Sequence, residues 1–173
     1  AYANQYVDGR IVYDGSCNAY TILSSSRSSL GVSILLHSFD GGHSWAAYKI
    51  PGSAGGAVVP SIEVPMAQHT LKQTQPPAIL LIDAYNNLPL KMVVPIKNAD
   101  KTLSFSNVFT VAEKSVAISP AGGGETFIAS NGGDNLHIVY SKKAVMRDEI
   151  SGHVGVPQYA VTLSRTTGAI VSG

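Results

Sequence analysis

Apolar and polar residues alternate along this chain in short runs, and the 3.6-residue period of an amphipathic helix is nearly absent. Arg10 to Asp14 predicts a short strand, closed by the turn Asp14-Gly15-Ser16, and Asn18 to Leu23 predicts the next. Four hairpins follow from paired runs around turn residues. Val32 to His37 and Trp45 to Ile50 flank a Gly-rich tip, and Ala78 to Asp83 and Pro89 to Ile96 flank Tyr85-Asn86-Asn87. Thr126 to Ala129 and Leu136 to Tyr140 flank Asn131-Gly132-Gly133-Asp134-Asn135. Tyr159 to Leu163 and Ala169 to Ser172 are joined by Ser164-Arg165-Thr166-Thr167-Gly168. Only Val111 to Ile118 and Lys142 to Ile150 suggest helix, and both are short.

The hairpin tips fall near positions 41, 86, 133 and 167, and the first two gaps are about 45 and 47 residues. A repeat of roughly 40–50 residues is the spacing of four-stranded propeller blades. Such a blade is a small twisted sheet that buries its faces against its neighbours. The spacing predicts units at approximately 8–52, 57–100 and 102–142, with a partial one at 150–173. That is about three to four blades, and a closed propeller needs at least four to remove its open edges. The expectation is therefore part of a larger propeller, completed by the remaining blades of a longer chain or by further copies.

Composition narrows the function. Charged residues make up 13% of the 173 positions, about half the usual roughly 25%. Twelve Lys and Arg against eleven Asp and Glu leave a net charge of +1, which argues against nucleic acid, whose binding calls for a basic patch. A hydrophobic fraction of 45% supplies a core, and 17 Gly with 9 Pro favour many short strands over long helices. Cys17 is the one cysteine, so no intrachain disulfide or CxxC site is available, and its turn context suggests an inert thiol. No run approaches the ~18 apolar residues of a membrane span. The start Ala1-Tyr2-Ala3-Asn4 carries neither an initiator Met nor a signal-like apolar stretch, which suggests a chain processed or cut from something longer.

One segment is specific. Ser38-Phe39-Asp40-Gly41-Gly42-His43-Ser44-Trp45 fits S-x-D-x-G-x-[ST]-W at every defined position and lies between two apolar strands. Asp40 can accept backbone N–H groups within the turn, Gly42 permits a positive φ, Ser38 and Ser44 can bond locally, and Trp45 supplies a large apolar plate. The segment resembles the Asp box of BNR repeats, found in sialidases and related β-propellers. Asp8 to Gly15 with Asn18 to Ile22, Gly133 to Ser141, and Pro157 to Leu163 with Arg165 to Gly168 look like further blade strands of such proteins. The resemblance implies an all-β, sialidase-like β-propeller of four-stranded antiparallel sheets. It also implies a structural role for Ser38, Asp40, Gly42, Ser44 and Trp45, because the box lies on the outer turn of a blade, away from the central site.

The resemblance implies less about chemistry. Sialidases clamp a substrate carboxylate with three arginines, a task suited to the guanidinium fork. Here Arg10, Arg27, Arg147 and Arg165 are the only arginines, and no Arg-Ile-Pro precedes the box. Arg27, in the Ser-rich loop Ser24 to Ser29, is a candidate binding residue, while Arg165 sits in a hairpin tip where a solvated turn residue is expected. Related propellers include polysaccharide lyases that abstract a proton beside a uronate with His, Tyr and Arg. On that analogy His69, His153, Tyr159 and Arg147 are the candidate catalytic residues, since a His base already has a pKa near operating pH. His37 and His43 flank the box and are expected on the outer surface, whereas His137 faces either a core or the propeller axis. No HExxH, EF-hand or P-loop pattern occurs, so neither a metal nor another cofactor is expected.

These observations lead to an extracellular carbohydrate-binding or carbohydrate-processing propeller, with a glycan or polysaccharide as partner. The alternative is a non-catalytic structural or adhesive subunit of an extracellular or virion assembly. Converging Arg, His, Tyr and carboxylate groups in a cleft favour an enzyme, and an apolar or occluded cleft favours assembly.

Overall fold

A computed structural model describes residues 5–7, 11–25, 33–53, 58–65, 74–83, 89–113, 126–130, 132–141, 146–147, 154–155 and 158–173. In chain order the strands are β1 (Gln5–Val7), β2 (Val12–Tyr13), β3 (Ala19–Ser25), β4 (Ile34–Ser38) and β5 (Ala46–Lys49). Next come β6 (Val58–Ile62), β7 (Val64–Pro65), β8 (Ile79–Asp83), β9 (Leu90–Val93), β10 (Pro95–Lys97), β11 (Leu103–Phe105) and β12 (Phe109–Ala112). The series closes with β13 (Phe127–Ser130), β14 (Asn135–Ser141), β15 (Met146–Arg147), β16 (Val154–Gly155), β17 (Gln158–Ser164) and β18 (Ile170–Ser172). The described residues are all-β and contain no helix.

Pairing groups most of these strands into three sheets, each with a run of four strands. The first runs β1-β3-β4-β5, with β2 also on β3, the second runs β12-β9-β8-β6, and the third runs β18-β17-β14-β13-β7. Neighbours are antiparallel except β7 and β13, which pair in parallel through Val64–Ala129 and Pro65–Ser130. The four hairpins read from the sequence all form, as β4–β5, β8–β9, β13–β14 and β17–β18. The fourth, which tip spacing assigns to a further unit, joins the third sheet, where β17 lies along the whole of β14.

Side-chain periodicity explains the stacking. In the second sheet β8 and the residue before it are buried at consecutive positions, Ala78, Ile79, Leu80 and Leu81, because both faces of this sheet are covered. Leu80, Leu90 and Met92 pack with Ile128, Leu136, Ile138 and Leu163 of the third sheet. Ile79, Leu81 and Val93 pack with Val12, Tyr20, Ile22 and Leu35 of the first, joined by Leu103 of β11. The third sheet instead alternates. Leu136 and Ile138 are buried toward the second sheet, while Phe127 and Val139 are 47% and 37% exposed.

Three local expectations are corrected. Val111 to Ile118 does not begin a helix: Phe109–Ala112 is strand β12, held on β9, with the β-branched Val111 buried in the core. Of Lys142 to Ile150 only Met146–Arg147 is described, and it is strand β15, paired with β16; the remainder lies outside the described residues. The single strand expected over Pro89 to Ile96 is divided: β9 ends at Val93, and Pro95–Lys97 forms β10, paired with β11 in a hairpin of its own. Its tip is held by Asp100, whose carboxylate accepts the Thr102 N–H at 3.0 Å and the Thr102 hydroxyl at 2.5 Å, with Lys101 at φ 68°.

Candidate functional site

The Asp-box residues converge in the turn between β4 and β5. Asp40 Oδ1 accepts the Ser38 hydroxyl at 2.7 Å and the Ser44 N–H at 2.9 Å, and Oδ2 accepts the Ser44 hydroxyl at 2.6 Å. The Ser38 oxygen in turn accepts the Gly42 N–H at 2.8 Å, with Gly42 at φ 102°. The Trp45 indole N–H donates to the Gly42 carbonyl at 3.1 Å, and its ring remains 39% exposed. These donors, the Ser44 hydroxyl foremost, hold the Asp40 carboxyl well below the ordinary carboxylate range. The Gly41 N–H donates to the Cys17 carbonyl, tying this tip to the loop after β2.

That loop leads into a buried polar cluster on the first sheet. Asp14 Oδ1 accepts the Ser16 and Asn18 N–H groups, and both its oxygens meet the Asn18 amide. Its Oδ2 also accepts the Tyr20 hydroxyl at 3.2 Å. Because a carboxylate only accepts, the Asn18 amide nitrogen must face Asp14, which leaves its oxygen for His37 Nε2 at 3.1 Å. His37 therefore donates from Nε2, and its buried Nδ1 has no partner among the described residues. Its ring stacks on Tyr20 with centroids 4.9 Å apart. Burial lowers the His37 pKa, only partly offset by Asp14, and burial together with Asp14 raises that of Tyr20. His37 is thus interior, contrary to the outer position expected beside the box, while His43 is exposed as expected.

A second buried cluster joins the second and third sheets. Glu63, between β6 and β7, is 0% exposed. Its Oε2 accepts the Ala78 N–H at 2.8 Å and pairs with Arg165 Nη2, and its Oε1 accepts the Ser130 hydroxyl. Arg165 Nη1 donates to the Pro76 carbonyl at 2.6 Å. At 5% exposure Arg165 is not the solvated turn residue expected of a hairpin tip. The turn is held instead by Asp134, which accepts the Ser164 hydroxyl at 2.6 Å, the Thr166 hydroxyl at 2.6 Å and the Thr166 N–H at 3.0 Å. Arg165 is then free to point inward. The same hydroxyls lower the Asp134 pKa.

Beside Arg165 lies a cavity of about 420 Å³, within the ordinary range for small-ligand sites. Pro76, Val94, Pro95 and Ile96 supply apolar wall, and Thr74, Lys97, Ser106 and Thr166 supply polar groups. It sits where the segment entering β8, the β9–β10 region and the tip of β17–β18 meet. No His and no carboxylate is among the described residues lining it.

Of the other candidate site residues read from the sequence, only Tyr159 is described with its side chain. His69, His153 and Arg27 lie outside the described residues. Arg147 is placed only as a position in β15. Tyr159 lies on β17 opposite Tyr140, with ring centroids 5.7 Å apart, and does not line the cavity. His137 is exposed on the open face of the third sheet, its Nδ1 3.2 Å from the Thr162 hydroxyl. Among the described residues no group of three His, Cys, Asp or Glu side chains is placed to hold a metal, and no helix is long and apolar enough to cross a membrane. No family model matches this chain, and no curated protein matches it either.

Proposed function

We propose that this protein is an extracellular carbohydrate-binding domain of the sialidase-like, Asp-box propeller kind, with its glycan seated in the cavity beside Arg165. The cavity is the observation that carries the proposal. It offers apolar wall from Val94, Pro95 and Ile96 for the C–H face of a sugar ring, next to hydroxyls for its polar rim. The propeller kinship rests on the Asp-box turn and on three antiparallel sheets stacked face to face.

Binding is favoured over processing by the state of the carboxylate paired with Arg165 in the cavity wall. Glu63 is sealed and has donors on both oxygens, so it has no free position from which to exchange a proton with substrate. Exposed Phe127 and Val139 favour a second, structural role, in which further blades or copies stack on the open face of the third sheet. A glycan-array screen of the whole chain tests the primary proposal. Saturable binding to a defined oligosaccharide without its cleavage is expected, and an array with no ligand overturns the proposal and leaves the assembly role.

A further inference from the structure

We infer that this cavity reads two adjacent hydroxyls of an uncharged sugar ring through the main chain of β10, with the Lys97 N–H as donor and the Pro95 and Lys97 carbonyls as acceptors. The inference rests on the glycan-binding proposal above and names the groups that would hold the sugar.

β10 and β11 form a two-stranded sheet, so one edge of β10 pairs with no other described strand. Main-chain groups along an antiparallel strand point by turns toward one neighbour and away from it. At the two ends of this ladder, the Ser106 N–H donates to the Val94 carbonyl and the Asn98 N–H to the Thr102 carbonyl, both at 2.9 Å. Ile96 lies midway between these bonds, opposite Ser104, and so turns its main chain toward β11. Pro95 and Lys97 turn theirs the other way.

The cavity runs along that second edge. Pro95, Ile96 and Lys97 all line it, although successive side chains of a strand leave on opposite faces, and no residue of β11 does so. Contact with three successive residues of one strand and none of its partner marks an edge rather than a face. The ammonium is not what Lys97 contributes there, because it is directed at Asp14 Oδ2, 3.9 Å away, and Asp14 does not line the cavity. Lys97 brings main chain to the cavity instead, and its N–H has no hydrogen-bond partner among the described residues.

This free edge is short. Pro95 has no N–H and Asn98 gives its own to Thr102, so a single donor stands between two carbonyls. An added peptide strand needs a longer ladder of paired groups. Two adjacent sugar hydroxyls need no more than this, since each both donates and accepts. One takes the Lys97 N–H, and the pair donate to the carbonyls on either side. The nearby charges are met within the chain, Arg165 by Glu63 and Lys97 by Asp14, so an uncharged ring suits the site. Ile96, 47% exposed, offers apolar surface to that ring from the same strand.

The test measures binding of tetrasaccharides of glucose, galactose and mannose to the wild-type chain, Lys97→Pro and Lys97→Met. Both substitutions remove the ammonium and its contact with Asp14, but only proline removes the N–H, which the β10–β11 ladder does not use. The wild-type chain is expected to bind at least one tetrasaccharide, Lys97→Met to keep that affinity within about twofold, and Lys97→Pro to lose roughly tenfold, the worth of one neutral hydrogen bond. Amide hydrogen exchange at Lys97 in the wild-type chain is expected to slow when that tetrasaccharide is added. This second readout needs no variant, and thermal unfolding checks that each variant folds. A folded Lys97→Pro chain that binds as tightly as the wild type, or unchanged exchange at Lys97, overturns the inference and leaves glycan binding standing. Equal losses in Lys97→Met and Lys97→Pro overturn it as well, because they assign recognition to the side chain. Failure of the wild-type chain to bind any of the three also overturns it, and the array screen then decides glycan binding by itself.

Discussion

Of the described carboxylates held by several donors, Asp40 and Glu63 differ most in how far along the chain those donors lie. Asp40 takes its donors from Ser38 and Ser44, so the turn between β4 and β5 is complete within a few residues and remains at the surface. Glu63 takes its donors from Ala78, Ser130 and Arg165, which lie 15, 67 and 102 positions away, and it is sealed. The first fixes the shape of a loop. The second fixes where the third sheet stands on the second. A local carboxylate turn is a fold signature, whereas a distant one is a clamp between sheets.

The sharpest way to break this contrast is to remove one partner of the clamp. Arg165→Met should cost about 3–5 kcal/mol in denaturant unfolding, because it leaves the sealed Glu63 carboxyl without its partner. Adding Glu63→Gln should recover part of that loss. Additive losses in the double variant would show that the two side chains act independently.

A smaller effect is expected at Gly168, at the same hairpin tip. Its φ is 70°, and a Cβ there would overlap the Phe109 ring of β12. Gly168→Ala combines backbone strain with overpacking and should cost about 1–3 kcal/mol by the same measurement. An unchanged midpoint would mean that the third sheet does not approach β12 so closely.

Acid titration probes the first sheet more gently. The folded pKa of His37 lies below its ordinary value of 6.5, so the unfolded chain binds the proton more readily. This contribution to stability is fully present above about 6.5 and is lost as pH falls from there toward the lowered folded value. His37→Phe, which keeps a ring on Tyr20, should remove that part of the pH dependence. Asp40 is expected to give the smallest effect, since its turn is exposed. Its pKa is also lowered, so its contribution is present above the ordinary carboxylate value and is lost only as pH falls below it. Asp40→Asn should flatten that acid limb while leaving the neutral-pH fold in place. An unchanged acid limb would show that Ser38 and Ser44 do not hold the ionised form.

The same contrast explains what the sequence made legible. Hairpins are local, so alternation and turn residues were enough to locate all four, and the Asp box could be read as a unit. The unbroken apolar run Ala78 to Ile82 also carries a signal for the covered, central position of the second sheet. Arg165 gave the wrong signal because a Thr- and Gly-rich tip suggests solvent. Only the pairing of β17 on β14 brings Asp134 to that tip and turns the arginine inward. His37 was misplaced for a similar reason: strand alternation beside the box points it toward Tyr20 and the second sheet. Glu63 carried no signal, since a lone glutamate between two short strands has no local pattern. The cavity combines segments near residues 75, 95 and 165, and no single stretch of sequence records it.

The most direct test of glycan seating is a calorimetric titration of the best array ligand into the wild-type chain and into Thr74→Trp. Thr74 lies on the exposed rim of the cavity, so the indole can fill the space without breaking the Glu63–Arg165 clamp. Binding by the wild-type chain and its loss in a stably folded Thr74→Trp variant is the predicted result. Equal affinity in the two chains would place the ligand elsewhere and contradict the account.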